Sequence, residues 1–483
     1  MGNYRINLST KILNLVEGLP RFRKGIISDL QGIRERQHQL AEKSKIKRKS
    51  PEDARMSLET LTLTITFEHE DYNNVIKGLN RYFPKNERIQ GFVGSLKDSS
   101  DSLHASSWSN LGFIFKENGS YVSDVTVDSS LPSNISSISL SFHRILPSVS
   151  CIIFTCHLDD DISNELNKLQ DNSYLGQVEF KKLWPLQKLS YRYSMKLPHH
   201  SSRKVIECRK DVIRKETESW IKKNFKWNVK DKYIVSYIDT YRISGCPTDA
   251  QERKDWLNKH NVWLSDFDIT PISHDTCNGL NFMISKPNRD SSMPLDIMTR
   301  FEESEKSKNI DEFEFKIGAM AISSAIYNLL NKYEDKITTL RSSGFKNLYK
   351  RTKMTRRTQK NMQEIKRTLV IISRLDQELQ ECQGYIALSL SEIGHLTYSH
   401  DNGPYNFAES TISRSDYILK QIKNAAHTID TGLTNYLSTQ NIYVMYKLQK
   451  WMFFLTIVVT IATLLGVLSG WENAKTIILS WFQ

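Results

Sequence analysis

The chain has 483 residues, enough for two or three domains, with a net charge of +12 and only 39% hydrophobic residues. A mean hydropathy of −0.46 excludes a protein embedded in a membrane throughout its length. Six cysteines without a C-x-x-C pair argue against a disulfide framework and a zinc finger, and point to reduced thiols in the cytosol.

Residues 1–56 are basic and helix-prone, with Arg21, Arg23, Lys24, Arg34 and Lys43 facing few acids. Their start carries no apolar signal region, and Ile6 stands where a myristoylated terminus prefers Ser or Thr. An α+β cytosolic region is expected over 57–308. Leu61, Leu63, Ile65 and Phe67 alternate with threonines, the mark of a half-buried strand. A helix fits Asp71 to Tyr82 and a polar loop fits 97–109. Strands at Leu111–Phe115 and Tyr121–Val127 flank Asn118-Gly119, a pair suited to a type I′ hairpin. Strands at Ile135–Phe142 and Ser150–Thr155 extend this into a meander. Asp159-Asp160-Asp161 then precedes a short helix, more as a cap that complements the helix dipole than as a cation site. Further on, the pattern predicts a basic helix over Lys204–Phe225, a strand over Tyr233–Ile243 and a helix over Asp249–His260. Short strands are expected at Val262–Ile269 and Leu280–Ile284.

A helical stalk is expected over 309–450. One helix runs from Ile310 to about Gly344. A heptad seam follows: Met362, Ile365, Leu369, Ile372, Leu379, Ile386, Leu390 and Ile393, with Asp376 and Gln383 as polar interruptions. A turn at Asp401-Asn402-Gly403-Pro404 leads to a second seam through Ile412, Leu419, Ile422, Ala426, Ile429, Leu433, Tyr436 and Tyr443. Together they predict a long coiled-coil-like helical hairpin, its seams closed either within one chain or between subunits.

The strongest signal is Trp451 to Trp471, a run without charge or proline and with a tryptophan at each end. As a helix it measures about 30 Å, the thickness of a bilayer's hydrocarbon core. Lys447 and Lys450 precede it and Lys475 is the only basic residue after it, so the positive-inside bias puts the N-terminal bulk in the cytoplasm. Residues 472–483 are read as a short amphipathic tail lying in the far interface or around the mouth of a bundle. Thr456, Thr460 and Thr463 share one helix face, where they could line a polar path, pack helices together, or bond their own backbone.

The densest basic cluster includes Lys353, Arg356, Arg357 and Lys360, and with Lys447 and Lys450 these are candidates for contact with anionic lipid. Aromatic interleaving is thin, which disfavours a nucleic acid. No phosphate-binding glycine loop, nucleophile elbow or metalloprotease motif is present, His199-His200 has no partner at ligand spacing and Cys156-His157 no third ligand, and the Asp-Phe-Asp of Asp266–Asp268 could hold a metal but is explained as well by a turn at a strand edge. No catalytic residue, metal site or cofactor is assigned.

The stalk end Ser438-Thr-Gln-Asn441, the lysines before the span, and Leu455-Thr-Ile-Val-Val-Thr-Ile461 resemble the corresponding parts of CorA-type magnesium channels. In that family the helix lines a pentameric pore and is followed by a Gly-Met-Asn filter and a second span. Here Ser469-Gly-Trp-Glu-Asn473 stands at that place, with ten residues after it, so magnesium selectivity is not implied. The expected function is a membrane-tethered oligomeric effector or channel in which the α+β domain, with or without a protein partner, controls a bundle of single spans. This layout is shared by membrane effectors of bacterial antiviral defence. The alternatives are a passive anchor for a cytosolic complex and a tethered enzyme with an unrecognised site.

Overall fold

Strand β1 (Arg55–Glu68) lies inside an eleven-stranded sheet and is covered on both faces. In this computed structural model the chain is described over 50–481 apart from 53, 85, 99–107, 118–124, 172–177, 183–190, 196–197, 228–232, 270–273, 278–281, 286–294, 302–310, 349–354 and 399–403; of the first 49 residues only 35 and 39 are described. The basic N-terminal segment therefore falls outside the described residues. The fold class is α+β.

The other strands of the sheet are β2 (Trp108–Phe115), β3 (Val125–Val127), β4 (Ile135–Leu146), β5 (Val149–Leu158), β8 (Ile234–Ser244), β9 (His274–Cys277), β10 (Phe282–Ser285), β11 (Leu295–Phe301), β12 (His395–Tyr398) and β13 (Pro404–Asn406). Their order is β13-β12-β9-β10-β11-β8-β1-β5-β4-β2-β3, while β6 (Val178–Lys182) and β7 (Tyr191–Met195) form a separate pair. Neighbours are antiparallel except β8 with β11 and β2 with β3. The second exception corrects the expected type I′ hairpin. A two-residue turn joins only antiparallel strands, and Val125 pairs in parallel with Phe113. Asn118-Gly119 itself lies outside the described residues.

The apolar face of β1 shares one hydrophobic core with α1 (Tyr72–Tyr82), α2 (Glu87–Asp98), α3 (Asp160–Asp171), α4 (Pro198–Phe225), α5 (Ala250–Lys259) and α6 (Asn261–Ser265). Asp249 caps α5 by accepting from the backbone N–H groups of Gln251 and Glu252 at 2.9 and 3.0 Å. The expected strand over Val262–Ile269 is α6 instead. Asp268 stands at φ 65° and closes the helix, its N–H reaching Ser265 and that of Ile269 reaching Leu264. Those two bonds are the Schellman pattern, and aspartate is among the few non-glycine residues that tolerate this conformation.

The other face of β1 corrects the half-buried reading: Thr60, Thr62, Thr64 and Thr66 are at most 2% exposed. The first part of α7 (Asp311–Leu348) covers this side. Phe313 stacks edge-on against Phe282, and Glu314 accepts from Ser139 at 3.2 Å and sits 3.1 Å from the His157 ring. The small residues Ala319, Ala321, Ser323, Ser324 and Ala325 are buried on this helix and let it lie close. Strand periodicity shows only that two faces differ; what covers the second depends on a helix some 250 residues later in the chain.

Two further strands, β12 and β13, come from within the expected stalk. The first seam does not run as one helix: α8 (Thr355–Glu381) breaks at Cys382, α9 (Gln383–Leu390) follows, and Gly394 at φ 72° turns the chain into β12. β12 pairs with β9 and with β13, so a β-hairpin at the sheet edge stands between the two long helices, and Asp401-Asn402-Gly403 of the expected turn lie outside the described residues. The side chain of Asn406 then accepts from the Glu409 N–H at 3.2 Å and starts α10 (Phe407–Trp481), a continuous helix of 75 residues. The amphipathic tail expected over 472–483 is, as far as Trp481, continuous with this helix.

The chain divides into two compact units, 1–331 with 375–417, and 332–374 with 418–483. In the second unit, Tyr333, Ile337, Ile365, Ile372, Leu419, Ile422, Ala426, Ile429 and Leu433 are buried within one chain. Lys336 pairs with Glu364 at 2.7 Å and Asn361 donates to Ser343 at 3.2 Å.

Gly78 tests the first layer. A Cβ there would overlap the Trp227 indole nitrogen, which donates to the Asn74 carbonyl, and would lie 2.8 Å from the Phe225 carbonyl oxygen. Gly78→Ala is expected to cost about 1–3 kcal/mol by overpacking, whereas Gly91→Ala, with open space around it, is expected to be neutral or to gain up to about 1 kcal/mol. The Tm of the two full-length variants in detergent checks the difference.

Candidate functional site

α10 contains the one stretch among the described residues long and apolar enough to cross a bilayer, with a hydropathy of 2.4 and none of it buried. Beyond Leu433 no described α10 side chain is buried. A helix is the form such a segment must take in lipid, because all its interior backbone groups bond within the segment. Trp451 and Trp471, at the two ends, are 61% and 69% exposed.

The threonine hydroxyls on this helix bond their own backbone. Thr456, Thr460 and Thr463 donate to the carbonyls of Met452, Thr456 and Val459, each at 2.8 Å. A hydroxyl satisfied in this way places no donor demand on a neighbour. Of the lipid candidates, Lys360, Lys447 and Lys450 are exposed. Arg356 and Arg357 fall in α8 but their side chains are outside the described residues, as is all of Lys353.

A second constellation was not foreseen from the sequence. Lys210 and Arg214, one turn apart on α4, project onto Asp239 in the middle of β8. Lys210 Nζ lies 2.8 Å from Asp239, and Arg214 meets both carboxylate oxygens at 2.6 and 2.8 Å. Glu207 joins Lys210 at 2.7 Å and Arg214 at 2.5 Å, and Asp211 joins Arg214 at 2.8 Å. Burial opposes the charge on Lys210, but Asp239 and Glu207 outweigh it and hold the ammonium well above its ordinary range. Burial likewise raises Glu207, and Lys210 and Arg214 overcome this to bring it down to about 2. Around the cluster, Tyr237 donates to Glu218, Ser202 donates to Asp266 at 2.7 Å, and Arg203 pairs with Asp268. The Asp-Phe-Asp segment thus holds α4 to the end of α6. One signal was visible: β8 alternates Tyr237, Asp239, Tyr241, which places an acid on a core-facing position and requires a buried cation opposite.

A pocket of about 250 Å³ lies between Trp108, His143, Arg144, Ile322, Tyr385 and Leu388. Burial pushes the His143 imidazole down to about 3, so it is neutral. Cys156 is buried, its thiol pushed up to about 12, while its neighbour His157 faces Glu314. Among the described residues no group of three or more His, Cys, Asp or Glu side chains is arranged to hold a metal ion.

No protein-family model matches the chain, and no curated protein matches it in sequence.

The charge cluster yields two expectations. Asp239→Asn removes the central anion and leaves buried cations under-compensated, at an expected cost of about 3–5 kcal/mol. Glu207 has a folded pKa near 2 against an ordinary 4.5. Its ionised form therefore favours folding above pH 4.5, and that contribution is lost as pH falls from 4.5 towards 2. Denaturant midpoints followed over this range should fall less steeply in Glu207→Gln than in the parent chain; equal slopes would remove Glu207 from the acid response.

Proposed function

We propose that this protein is a membrane-tethered effector of channel-like type, in which a cytoplasmic α+β domain controls a bundle of single α10 helices contributed by several copies. The observation that carries this reading is the continuity of α10. Its first residues, Phe407, Ala408, Thr411 and Ser415, are buried in the sheet unit, and its apolar stretch from Trp451 onward is exposed. A change in the sheet unit that repositions the start of α10 has an unbroken helix through which to act. Lys447 and Lys450 before the span, against Lys475 alone after it, support a cytoplasmic sheet unit. The exposed apolar span suits either lipid or neighbouring spans, and one helix cannot enclose a path by itself.

The likeness to CorA-type stalks is the reason to measure ion flux first, and the layout shared with bacterial antiviral effectors suggests a cellular signal as the input. The mass of the detergent-solubilised protein, from light scattering corrected for detergent, is expected to correspond to four or more chains; a monomer defeats the channel reading. In liposomes, Thr456→Val, Thr460→Val and Thr463→Val together are expected to reduce flux about tenfold if the threonine face lines the path. Unchanged flux removes these residues from it. Exchange of 451–471 for an unrelated apolar helix is expected to abolish function, and its retention would favour a passive anchor.

A further inference from the structure

Between Asp430 and Glu472 the chain has no acidic residue, so Lys447 and Lys450 have no carboxylate within three turns on their own helix. Spacings of four put Tyr443, Lys447 and Trp451 in one ridge of α10 and Tyr446, Lys450 and Phe454 in the next, with the ridges offset by three. These six side chains line one groove of about 460 Å³. All are exposed, the tyrosines at 62% and 65% and Trp451 at 61%. Along the groove the chemistry is graded. Two tyrosines come first, then two lysines three residues apart, then the Trp451 and Phe454 rings, in edge contact at 6.1 Å.

A phospholipid has the same gradient in the same direction: a polar headgroup, a phosphate, then acyl chain. Two ammonium groups one turn apart repel each other, and an anion between them relieves that repulsion. Aromatic rings at the start of a span settle at the depth of the lipid glycerol, which brings the phosphate level with the lysines. We propose that this groove binds the phosphate of an anionic phospholipid in the leaflet on the N-terminal side of the span, with an acyl chain along Trp451 and Phe454. The inference rests on α10 spanning a bilayer. The bound lipid sets the depth of α10 and makes the behaviour of the span depend on leaflet charge.

The test uses the full chain, delipidated in detergent and titrated with phosphatidylglycerol or phosphatidylcholine, with retained lipid counted by native mass spectrometry. Phosphatidylglycerol is expected to be retained preferentially. Lys447→Gln with Lys450→Gln should weaken it about 25-fold, at about fivefold per lysine, while Lys475→Gln leaves it unchanged. Tyr443→Phe with Tyr446→Phe should weaken it less and keep the lipid preference. Equal retention of the two lipids, indifference to the lysine changes, or displacement of the lipid by inorganic phosphate would each overturn the proposal. Alkaline carbonate extraction separates this from failure of the spanning reading: a chain released by carbonate does not span, whereas a chain that stays in the membrane without lipid preference lacks only this site.

Discussion

Covering both faces of β1 is the constraint on which the sheet unit depends. One face is apolar and would be covered in any half-buried sheet. The other presents Thr60, Thr62, Thr64 and Thr66, whose hydroxyls have no hydrogen-bond partner among the described residues. Burying such groups carries a cost that close packing must offset, and the small residues of α7 provide that closeness. The β12–β13 hairpin joins the same sheet at its edge by pairing with β9. It thereby fixes the start of α10, the helix that carries the apolar span.

The ionic cluster below the first face works by a different balance. Asp239, Lys210 and Arg214 are nearly inaccessible to water, so none is tolerable without the others. What the cluster secures is the seat of α4 on β8, by a geometry that admits few alternatives. Each of its charges meets an opposite charge. For that reason it is read as a structural device, and the functional reading rests on α10.

α10 changes surroundings along its length: one face is buried against protein from Phe407 to Leu433, no described side chain is buried thereafter, and the helix is apolar from Trp451. The lysine and aromatic groove lies at the change from exposed polar helix to apolar span. Effector action and lipid sensing are thus proposed for adjoining stretches of one helix, where a shift in the depth of the groove is also a shift in the depth of the span.

Much of this was determined by sequence alone, where the deciding interactions are local. β1, α1, α4 and β8 follow from periodicities of 2 and 3.6, the start of α5 from Asp249, and the candidate span from an uncharged run bounded by Trp451 and Trp471. Sequence also identified part of the seams, since Ile365, Ile372, Ile422 and Ile429 are buried where a heptad places them, whereas Tyr443 at the end of the second seam is exposed. Tertiary structure alone decided the rest. The parallel pairing of β2 with β3, the break of α8 at Cys382 and the capture of 395–406 by the sheet depend on partners distant in the chain, about which local pattern carries no information. The run Val262–Leu264 is apolar enough for strand or helix, and only the Asp268 turn and its pairing with Arg203 select the helix. The ion cluster unites residues from an amphipathic helix and from a strand, each unremarkable by itself, because charge complementarity across a core is a property of the packed chain.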